Sequence, residues 1–508
     1  MGISIHAEEF AAELFQRFDV RLHEQLRALK ELLARPGFGV GPRTIGAELE
    51  MFLIDGDGLP LRINGEVMST TRDKRITLEM AQFNIESNAR PLALGGQTLT
   101  ELRDELQETV TEVARAAAAH GGMVALVGML PTLKGMDMLK DATSDAPRYR
   151  ALSRGLARLR GGRPLRIRIQ GEESLEAEWN DVTIQGANTS FQLHLRVNPA
   201  DFARAYNAAQ LATAPALAGC VNSPILMGWK LWDETRVALF EQALDDRADT
   251  ERYRPARASF GSGWCREGAW ELFAEAIDLH SPLLPVCGEE DAFSEVRAGR
   301  VPHLDDLKLH NGTVWRWNRP VYDSSGGGHV RIEFRPLPSG PTVTDMVAGA
   351  AFLLGLTLGL VPDIDELLPA MPFSAAAGNF YAAAKSGLDA QLLWPTRTGL
   401  SPRIVQAREL IVELLPRAKE GLLSAGIAQD EVEHWLGCFG ERVERGMTGA
   451  RWQKLSLLRW EQRLSRSEAL AAMFAEYREY ASSERPVHEW PTSPLPRLFD
   501  LAPAATQG

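Results

Sequence analysis

The chain has 508 residues, of which 45% are hydrophobic, and a formal net charge of −12 at pH 7. This length allows two or three average domains, or one large enzyme domain with additions, and the apolar content is sufficient for a large core. The acidic charge argues against general nucleic-acid binding, which depends on basic surfaces.

The N-terminal segment predicts an amphipathic helix between about residues 6 and 35. Apolar residues recur there at a spacing of four: Phe10, Leu14, Phe18, Leu22 and Leu26. The following sequence RPGFGVGPR breaks the helix. The first residues have neither the basic region nor the continuous apolar stretch of a signal peptide. We therefore expect an N-terminal helix over residues 1–40.

Apolar periodicity predicts further helices along the chain. In the central part these are Leu99–His120, Asp201–Leu217, Trp232–Asp246, Gly268–His280 and Thr342–Leu360. From about residue 363 onward almost everything has a helical pattern, including Arg403–Ser424, Gln429–Arg445 and Ser465–Tyr480. The predicted organisation is a main α+β domain over 41–362 and a helical region over 363–485 packed on it. A proline-rich tail over 486–508 is predicted to be extended or partly disordered.

Cysteine spacing and hydropathy exclude several classes of protein. The four cysteines, Cys220, Cys265, Cys287 and Cys438, are far apart and form no C-x-x-C pair, which disfavours a zinc knuckle or a redox motif. Reduced thiols in a cytoplasmic protein are the expectation. The longest apolar run, residues 346–361, is shorter than the about 20 residues that a membrane span needs. We expect it to be a buried helix, and no membrane partner.

Two further segments have an interpretation other than catalysis. The glycine cluster SSGGGH, residues 324–329, lies between two strand-like runs and is interpreted as a hairpin loop, not as a phosphate cradle. The arginine-rich run over residues 148–168 has few aromatic residues. We interpret it as a helix surface followed by a phosphate-facing strand, and not as a nucleic-acid patch.

Five segments alternate between apolar and polar residues, as half-buried strands do. The polar positions are Glu48 and Glu50; Asn84 and Glu86; Arg166, Arg168 and Gln170; Ser190, Gln192, His194 and Arg196; and Arg331, Glu333 and Arg335. Together they predict an antiparallel sheet with helices on one face and a polar second face. Any one of these strands alone is more typical of a solvated surface. The joint pattern, rich in Glu, Gln, His and Arg and without Lys, favours a functional face.

Several carboxylates on one face repel each other unless they share protons or cations. Magnesium relieves this repulsion and in turn attracts phosphates, whose charge arginines offset. The polar face is therefore typical of phosphoryl chemistry with Mg²⁺ and a nucleotide.

Five motifs, in order over about Pro42 to Trp394, resemble the glutamate–cysteine ligase family, in particular its second bacterial branch, the carboxylate–amine ligases. They are GAELEMFLID, FNIESNARPLALGG, GANTSFQLHLRVNPADF, NSPILMGWKLWDETR and RIEFRPLPSGPTVTD. The resemblance implies a glutamine-synthetase-like fold. In that fold an antiparallel sheet forms a funnel, and the active site lies on its polar face.

The resemblance also implies roles for individual residues. The implied metal ligands are Glu48, Glu50, Glu86, His194 and Glu333, with Glu86 alternatively a substrate contact. Gln192, His194, Arg335 and Arg319 are implied at the nucleotide phosphates, with Arg319 alternatively at a carboxylate. Arg236 is expected to hold the carboxylate of the amino-acid substrate. Asn222, next to Ser223, is expected in the pocket wall, with a tight turn as the equal alternative.

The implied reaction uses ATP and Mg²⁺ to join a carboxylate to an amine through an acyl phosphate. Glutamate, through its γ-carboxylate, and cysteine are the default substrates, as in glutathione biosynthesis. The expected partners are small molecules, with a homo-oligomer left open. Three departures leave a different amine or acid open: the sequence FNIESNARP, the long hairpin after Leu309 and the large helical region after Asp363. The other alternative is a catalytically silent nucleotide-binding protein, which the joint presence of the acidic residues, His194 and Arg335 disfavours.

Overall fold

The computed structural model describes residues 5, 7–138, 142–179, 182–395 and 402–492. The strands within these ranges are β1 (Thr44–Ile54), β2 (Ile76–Leu78), β3 (Asn84–Asn88), β4 (Leu92–Ala93), β5 (Met123–Ala125), β6 (Leu165–Gln170), β7 (Ser174–Trp179), β8 (Phe191–Val197), β9 (Ile225–Leu226), β10 (Trp229–Lys230), β11 (Ala258–Ser259), β12 (Trp315–Arg316), β13 (Asn318–Asp323), β14 (His329–Phe334), β15 (Gln391–Trp394) and β16 (Arg403–Gln406).

Helices surround these strands. They are α1 (Ala12–Leu33), α2 (Asn64–Thr70), α3 (Thr98–Ala118), α4 (Pro147–Leu159), α5 (Phe202–Cys220), α6 (Thr235–Ala243), α7 (Ala269–Leu279), α8 (Ala292–Arg297), α9 (Asp305–Asn311), α10 (Val343–Leu360), α11 (Ile364–Leu367), α12 (Phe373–Ser386), α13 (Ala407–Ser424), α14 (Gln429–Arg445), α15 (Gly449–Trp460) and α16 (Arg466–Ala481). Most predicted helices begin and end within three residues of these bounds, because their apolar faces repeat with the period of a helix.

The main sheet is antiparallel and has the strand order β13-β14-β8-β1-β3-β2, with β4 and β5 also paired to β1. One face of the sheet is apolar. Leu49, Leu193 and Ile332 are completely buried there, in the same core as residues of α3 and α5. The polar residues of the same strands lie on the other face, as strand alternation requires. The predicted α+β class, with a polar face opposite the helices, is confirmed.

Helix α10 is buried along almost its whole length, as its apolar run predicts. Among the described residues, the helical segment Val343–Ala370 is long and apolar enough to cross a membrane, but 83% of its most apolar stretch is buried inside the protein. Its neighbours are α5, α13 and α14. Arg442 of α14 forms an ion pair with Asp345 of α10, at 2.9 Å between Nη2 and Oδ1, and both side chains are at most 2% exposed. This segment is therefore a core helix that joins the C-terminal helices to the rest of the fold.

Two predictions of secondary structure are wrong. Segment 165–170 is not part of the main sheet: β6 pairs only with β7 among the described strands, and Arg166 and Arg168 form exposed ion pairs with Glu178 and Glu176. This strand consequently faces solvent and not phosphate. The helix predicted to begin at residue 403 begins at Ala407, because residues 403–406 pair with β15.

The start of the predicted proline-rich tail has aromatic contacts: Trp490 is only 5% exposed and packs against Trp452 and Tyr477. That the tail is extended or partly disordered stays a prediction. Residues 493–508, also in the predicted tail, lie outside the described residues. The predicted hairpin at SSGGGH is present, since β13 and β14 flank it and pair antiparallel.

Candidate active site

Strand register brings polar residues that are distant in sequence into three rows on the polar face. In the first row, Arg319 of β13 lies opposite Glu333 of β14, which lies opposite His194 of β8. The second row joins Gln192, Glu48 and Asn88 across β8, β1 and β3. The third joins Glu50, Glu86 and Thr77 across β1, β3 and β2. Directly opposed residues in a sheet have Cβ atoms about 5 Å apart, so each row places its side chains in reach of each other.

The first acidic group consists of Glu48, His194 and Glu333. One ligand atom from each lies within 4.8 Å of the other two. Burial raises the pKa of Glu48, but the electrostatic interaction and the hydrogen bond with His194 outweigh it and leave that pKa below its usual range. Carboxylate oxygens with one imidazole nitrogen form a donor set that suits a divalent cation.

His194 has a defined pattern of hydrogen bonds in this group. Nε of Arg331 donates to its Nδ1 at 3.1 Å, and its Nε2 lies 3.0 Å from Oε1 of Glu48. Since Nδ1 accepts a hydrogen bond, Nε2 carries the proton of the neutral ring and donates it to Glu48. Ligation of a metal by Nε2 would therefore require that proton to move to Nδ1 and Arg331 to turn away.

Glu333 is the most enclosed carboxylate of the site, with a side chain only 1% exposed. Its two oxygens accept hydrogen bonds from Nε and Nη2 of Arg319 at 2.7 and 2.9 Å, and Arg335 donates to it as well. Burial alone would raise the pKa of Glu333, but the charges of Arg319 and Arg335 hold it far below the usual range. The carboxylate is therefore ionised and fixes both arginines at the site.

The second acidic group consists of Glu50, Glu79 and Glu86, again with ligand atoms within 4.8 Å of one another. Burial and the nearby charge of Glu79 raise the pKa of Glu50 to about 7. Burial, together with Glu48 and Glu79, raises the pKa of Glu86 well above its usual range. Three carboxylates in such proximity are unfavourable without a proton or a cation between them. The three carboxylates could together hold a cation.

Glu79 is a member of this group that sequence reasoning missed. It follows β2 directly, and β2 pairs with β3 so that Thr77 lies opposite Glu86. The available signal was the segment ITLEM, whose Thr77 and Glu79 share a face in a strand with period two. The segment was overlooked because its β2 is only three residues long.

Both groups open into one cavity of about 870 Å³ on the polar face. Of the residues predicted for the site, those that line it are Glu48, Glu50, Glu86, Gln192, Arg236, Arg319 and Arg335. His194 and Glu333 are bonded to these residues and do not line the cavity themselves. Lys74 and Arg148, two exposed cations that were not predicted for the site, also line it. The volume is at the large end for ligand pockets and is sufficient for more than one small ligand.

Gln192 connects the second acidic group to an arginine. Its Nε2 donates to Oε1 of Glu50 at 3.1 Å, and its Oε1 accepts from Nη1 of Arg335. The backbone N–H of Ser190 donates to the other oxygen of Glu50 at 2.8 Å. Both oxygens of Glu50 are thus oriented before any ligand binds.

Arg236 lines the cavity from the first turn of α6, but its guanidinium already has internal partners. Nε donates to Glu234 at 2.6 Å, and Nη2 donates to the carbonyl oxygen of Pro336 at 2.6 Å. Glu234 is completely buried and also accepts from Ser223 at 2.7 Å. These contacts fix the plane of the guanidinium, and they involve Nε and Nη2 but not Nη1.

Asn222 does not belong to the cavity wall, contrary to one of the two predictions for it. It is completely buried, and its Nδ2 donates to the carbonyl oxygen of Ser339 at 2.8 Å and to the hydroxyl of Tyr477 at 2.9 Å. Its backbone N–H donates to Glu234 at 2.9 Å. Asn222 therefore links α16 to the carboxylate that holds Arg236, and it is positioned for a structural role.

Part of the cavity lining is aromatic. Phe240, Trp315 and Trp317 line it, and Nε1 of Trp317 donates to Oε1 of Glu241 at 2.8 Å. The hydroxyl of Tyr381 donates to the same oxygen at 2.9 Å. Burial raises the pKa of Glu241 to about 7, although both hydrogen bonds and the charge of Arg247 act to lower it.

This raised pKa predicts how stability depends on pH. Between the ordinary value of a Glu carboxyl and about 7, the folded protein keeps a proton on Glu241 that the unfolded chain has lost. The contribution of Glu241 to stability should therefore fall as the pH rises from about 4.5 to about 7 and should then level off, with a total change of about 3 kcal/mol. The Tm of wild type minus that of Glu241→Gln, measured from pH 5 to pH 8, should decrease over that window. A flat difference would show that Glu241 ionises normally.

An acidic, arginine-flanked cavity on the polar face of such a sheet is the arrangement of an ATP-dependent carboxylate–amine ligase. The family model of glutamate-cysteine ligase family 2 (GCS2) matches residues 44–461. The match spans well over half of the sequence, and the chain belongs to that family. No curated protein sequence matches the chain.

One solved structure agrees on the fold. The chain is similar to the glutamate–cysteine ligase of Francisella tularensis in complex with AMP, with a TM-score of 0.50, 12% sequence identity, and coverage of 92% of this chain and 93% of that one. It also matches a bifunctional glutathione synthetase from Pasteurella multocida, with a TM-score of 0.46, 11% identity, and coverage of 91% and 55%. At these identities the likeness concerns the fold alone.

Proposed function

We propose that this enzyme uses Mg²⁺ and ATP to activate the γ-carboxylate of glutamate as an acyl phosphate and transfers the γ-glutamyl group to an amine. Cysteine is the amine that the family implies. The observation that supports this proposal best is the pair of acidic groups, Glu48–His194–Glu333 and Glu50–Glu79–Glu86, on one cavity.

The two acidic groups fit Mg²⁺ by the chemistry of their donors. Five of the six side chains offer carboxylate oxygens, the ligands that this hard cation prefers. The raised pKa values of Glu50 and Glu86 indicate a local excess of negative charge that a cation would neutralise. Bound there, Mg²⁺ would supply neutralisation of the nucleotide phosphates and of the charge that develops during transfer.

The protein's own residues position the substrates and neutralise the charge of the reacting groups. In the first step, a γ-carboxylate oxygen of the acid attacks the γ-phosphorus of ATP, the bond to the β–γ bridging oxygen breaks, and ADP leaves. Arg335 and Arg319, which Glu333 holds, offset the negative charge of the transferring phosphoryl group. In the second step the amine attacks the acyl carbon, loses a proton, and expels phosphate. Arg236 would hold a substrate carboxylate through its Nη1.

A catalytically silent binding protein with the same fold is the competing function. It would keep the cavity but would have no need of two complete acidic groups. Release of ADP separates the two functions, because only a ligase couples it to an acid and an amine.

We expect Mg²⁺-dependent ADP release when ATP, glutamate and a suitable amine are all present. With hydroxylamine as the amine, a γ-glutamyl hydroxamate should form, because hydroxylamine traps an activated acyl group. Glu48→Gln should lower this rate by about a hundredfold or more, because it removes one carboxylate of the first group. A coupled ADP assay over a panel of acids and amines, with ferric detection of the hydroxamate, measures both.

The matched control is Glu176→Gln, an exposed glutamate on β7 that is not among the lining residues of the cavity. It should retain the wild-type rate. Binding of Mg²⁺–ATP without ADP release for any acid and amine would support the silent protein instead.

A further inference from the structure

The aromatic side chains of the lining form one compartment wall, in which the rings pack on each other. Phe240 and Trp315 are partly exposed to the cavity, and their ring centroids lie 6.5 Å apart in an edge-to-face arrangement. Trp317, which is only 3% exposed, packs behind Phe240 with the ring centroids 5.7 Å apart. Side chains with this geometry present flat apolar surface, which suits a planar apolar group of a ligand.

A second layer of contacts fixes the compartment in place. Trp317 is only 3% exposed and packs on Phe380 at 5.4 Å, and Phe380 stacks on Phe260 at 5.0 Å. Glu241 holds the indole N–H of Trp317. The walls are therefore oriented before a ligand arrives, which reduces the entropic cost of binding.

The compartment adjoins a guanidinium. Arg236 and Phe240 are four residues apart on α6, both line the cavity, and such residues neighbour each other on one helix face with Cβ atoms about 5–6 Å apart. A ligand that meets both side chains at once needs a carboxylate and an apolar ring joined by a short linker, as in an aromatic α-amino acid. The adenine of ATP is a poorer match, because a ribose separates its ring from its nearest anionic group. Glutamate has no planar apolar group.

We propose that the amine substrate is an α-amino acid with an aromatic side chain, whose carboxylate binds Arg236 and whose ring packs against the partly exposed rings of Phe240 and Trp315. The inference rests on the proposed ligase function and assigns its amine. A small side chain such as that of cysteine would leave the compartment unfilled and would gain little from it.

The test is calorimetric binding of amino acids to the full-length protein with Mg²⁺ and a non-hydrolysable ATP analogue. L-Phenylalanine should bind at least about tenfold more tightly than L-alanine or L-cysteine. It should also bind at least about tenfold more tightly than phenethylamine, which keeps the ring but lacks the carboxylate. The same ranking should appear in kcat/KM for ADP release.

Three variants separate the ring contact from general damage. Trp315→Ala should weaken binding of L-phenylalanine about tenfold while L-alanine and the ATP analogue bind as before. Trp315→Phe should restore most of the affinity because it restores a ring. Trp229→Ala removes an exposed tryptophan that is not among the residues lining the cavity, and it should bind like wild type.

Equal affinities for phenylalanine and alanine would overturn the assignment, as would a complete lack of amino-acid binding. So would a Trp315→Ala variant that loses affinity for the ATP analogue and not for phenylalanine, since the compartment would then hold adenine. If phenylalanine binds as described but no acid and amine release ADP, the aromatic amino-acid site stands and the ligase proposal fails.

Discussion

Glu333→Gln should lose at least about a thousandfold of the ADP-forming activity and should be about 3 kcal/mol less stable than wild type. The carboxylate is almost completely buried and is bonded to both Arg319 and Arg335. Its removal leaves two enclosed guanidinium groups without their shared counter-charge. It also removes one ligand of the first acidic group. Activity is measured as the initial rate of ADP release, and stability from the shift in Tm.

The control for this variant is Glu178→Gln, in which an exposed glutamate loses its ion pair with Arg166. Exposed pairs contribute at most about 1 kcal/mol, so this change should leave both activity and Tm nearly as in wild type. If Glu333→Gln keeps activity within tenfold of wild type, Glu333 neither binds an essential cation nor positions the arginines for catalysis.

Glu79→Gln should have opposite effects on the metal-free and the Mg²⁺-bound protein. Without metal, the variant loses one of three mutually repelling carboxylates, so its Tm should rise by at least about 1 °C. With Mg²⁺ at a hundredfold excess over its Kd, the wild type should gain about 2.7 kcal/mol, and the variant should gain less than half of that. ADP-forming activity should fall by about a hundredfold or more. Thermal unfolding with and without Mg²⁺ gives both stabilities.

Glu66→Gln serves as the comparison, because Glu66 is exposed on the short helix α2 and is not among the described residues that form either acidic group. Its stability should respond to Mg²⁺ as wild type does. If Mg²⁺ stabilises the Glu79→Gln variant as strongly as wild type, Glu79 is not a ligand of the metal. The raised pKa values of Glu50 and Glu86 would then mean only that these two acids are protonated.

The sequence predicted the faces of the strands correctly but not always the sheet to which a strand belongs. Alternation in segments 44–54, 191–197 and 329–334 reflects burial of one face of each strand, and all three lie in the main sheet. Segment 165–170 alternates as well, yet it pairs with β7 in a separate hairpin. An alternation of apolar and polar residues with period two shows only that one face of a strand is buried. The same alternation arises whichever part of the protein covers that face.

At the candidate site, local pattern and tertiary structure contributed differently. The sequence by itself determined that Glu48 and Glu50 share a face, because adjacent backbone units in a strand point their side chains in opposite directions. Only the tertiary structure decided that Glu79 joins Glu50 and Glu86, that Asn222 faces the interior, and that Trp315 and Trp317 border the same cavity as Arg236. Arg236 and Trp317 are 81 residues apart in the chain, and Asn222 and its partner Tyr477 are 255 apart. Strand register and packing between layers set the distances between such residues, and periodicity does not encode either.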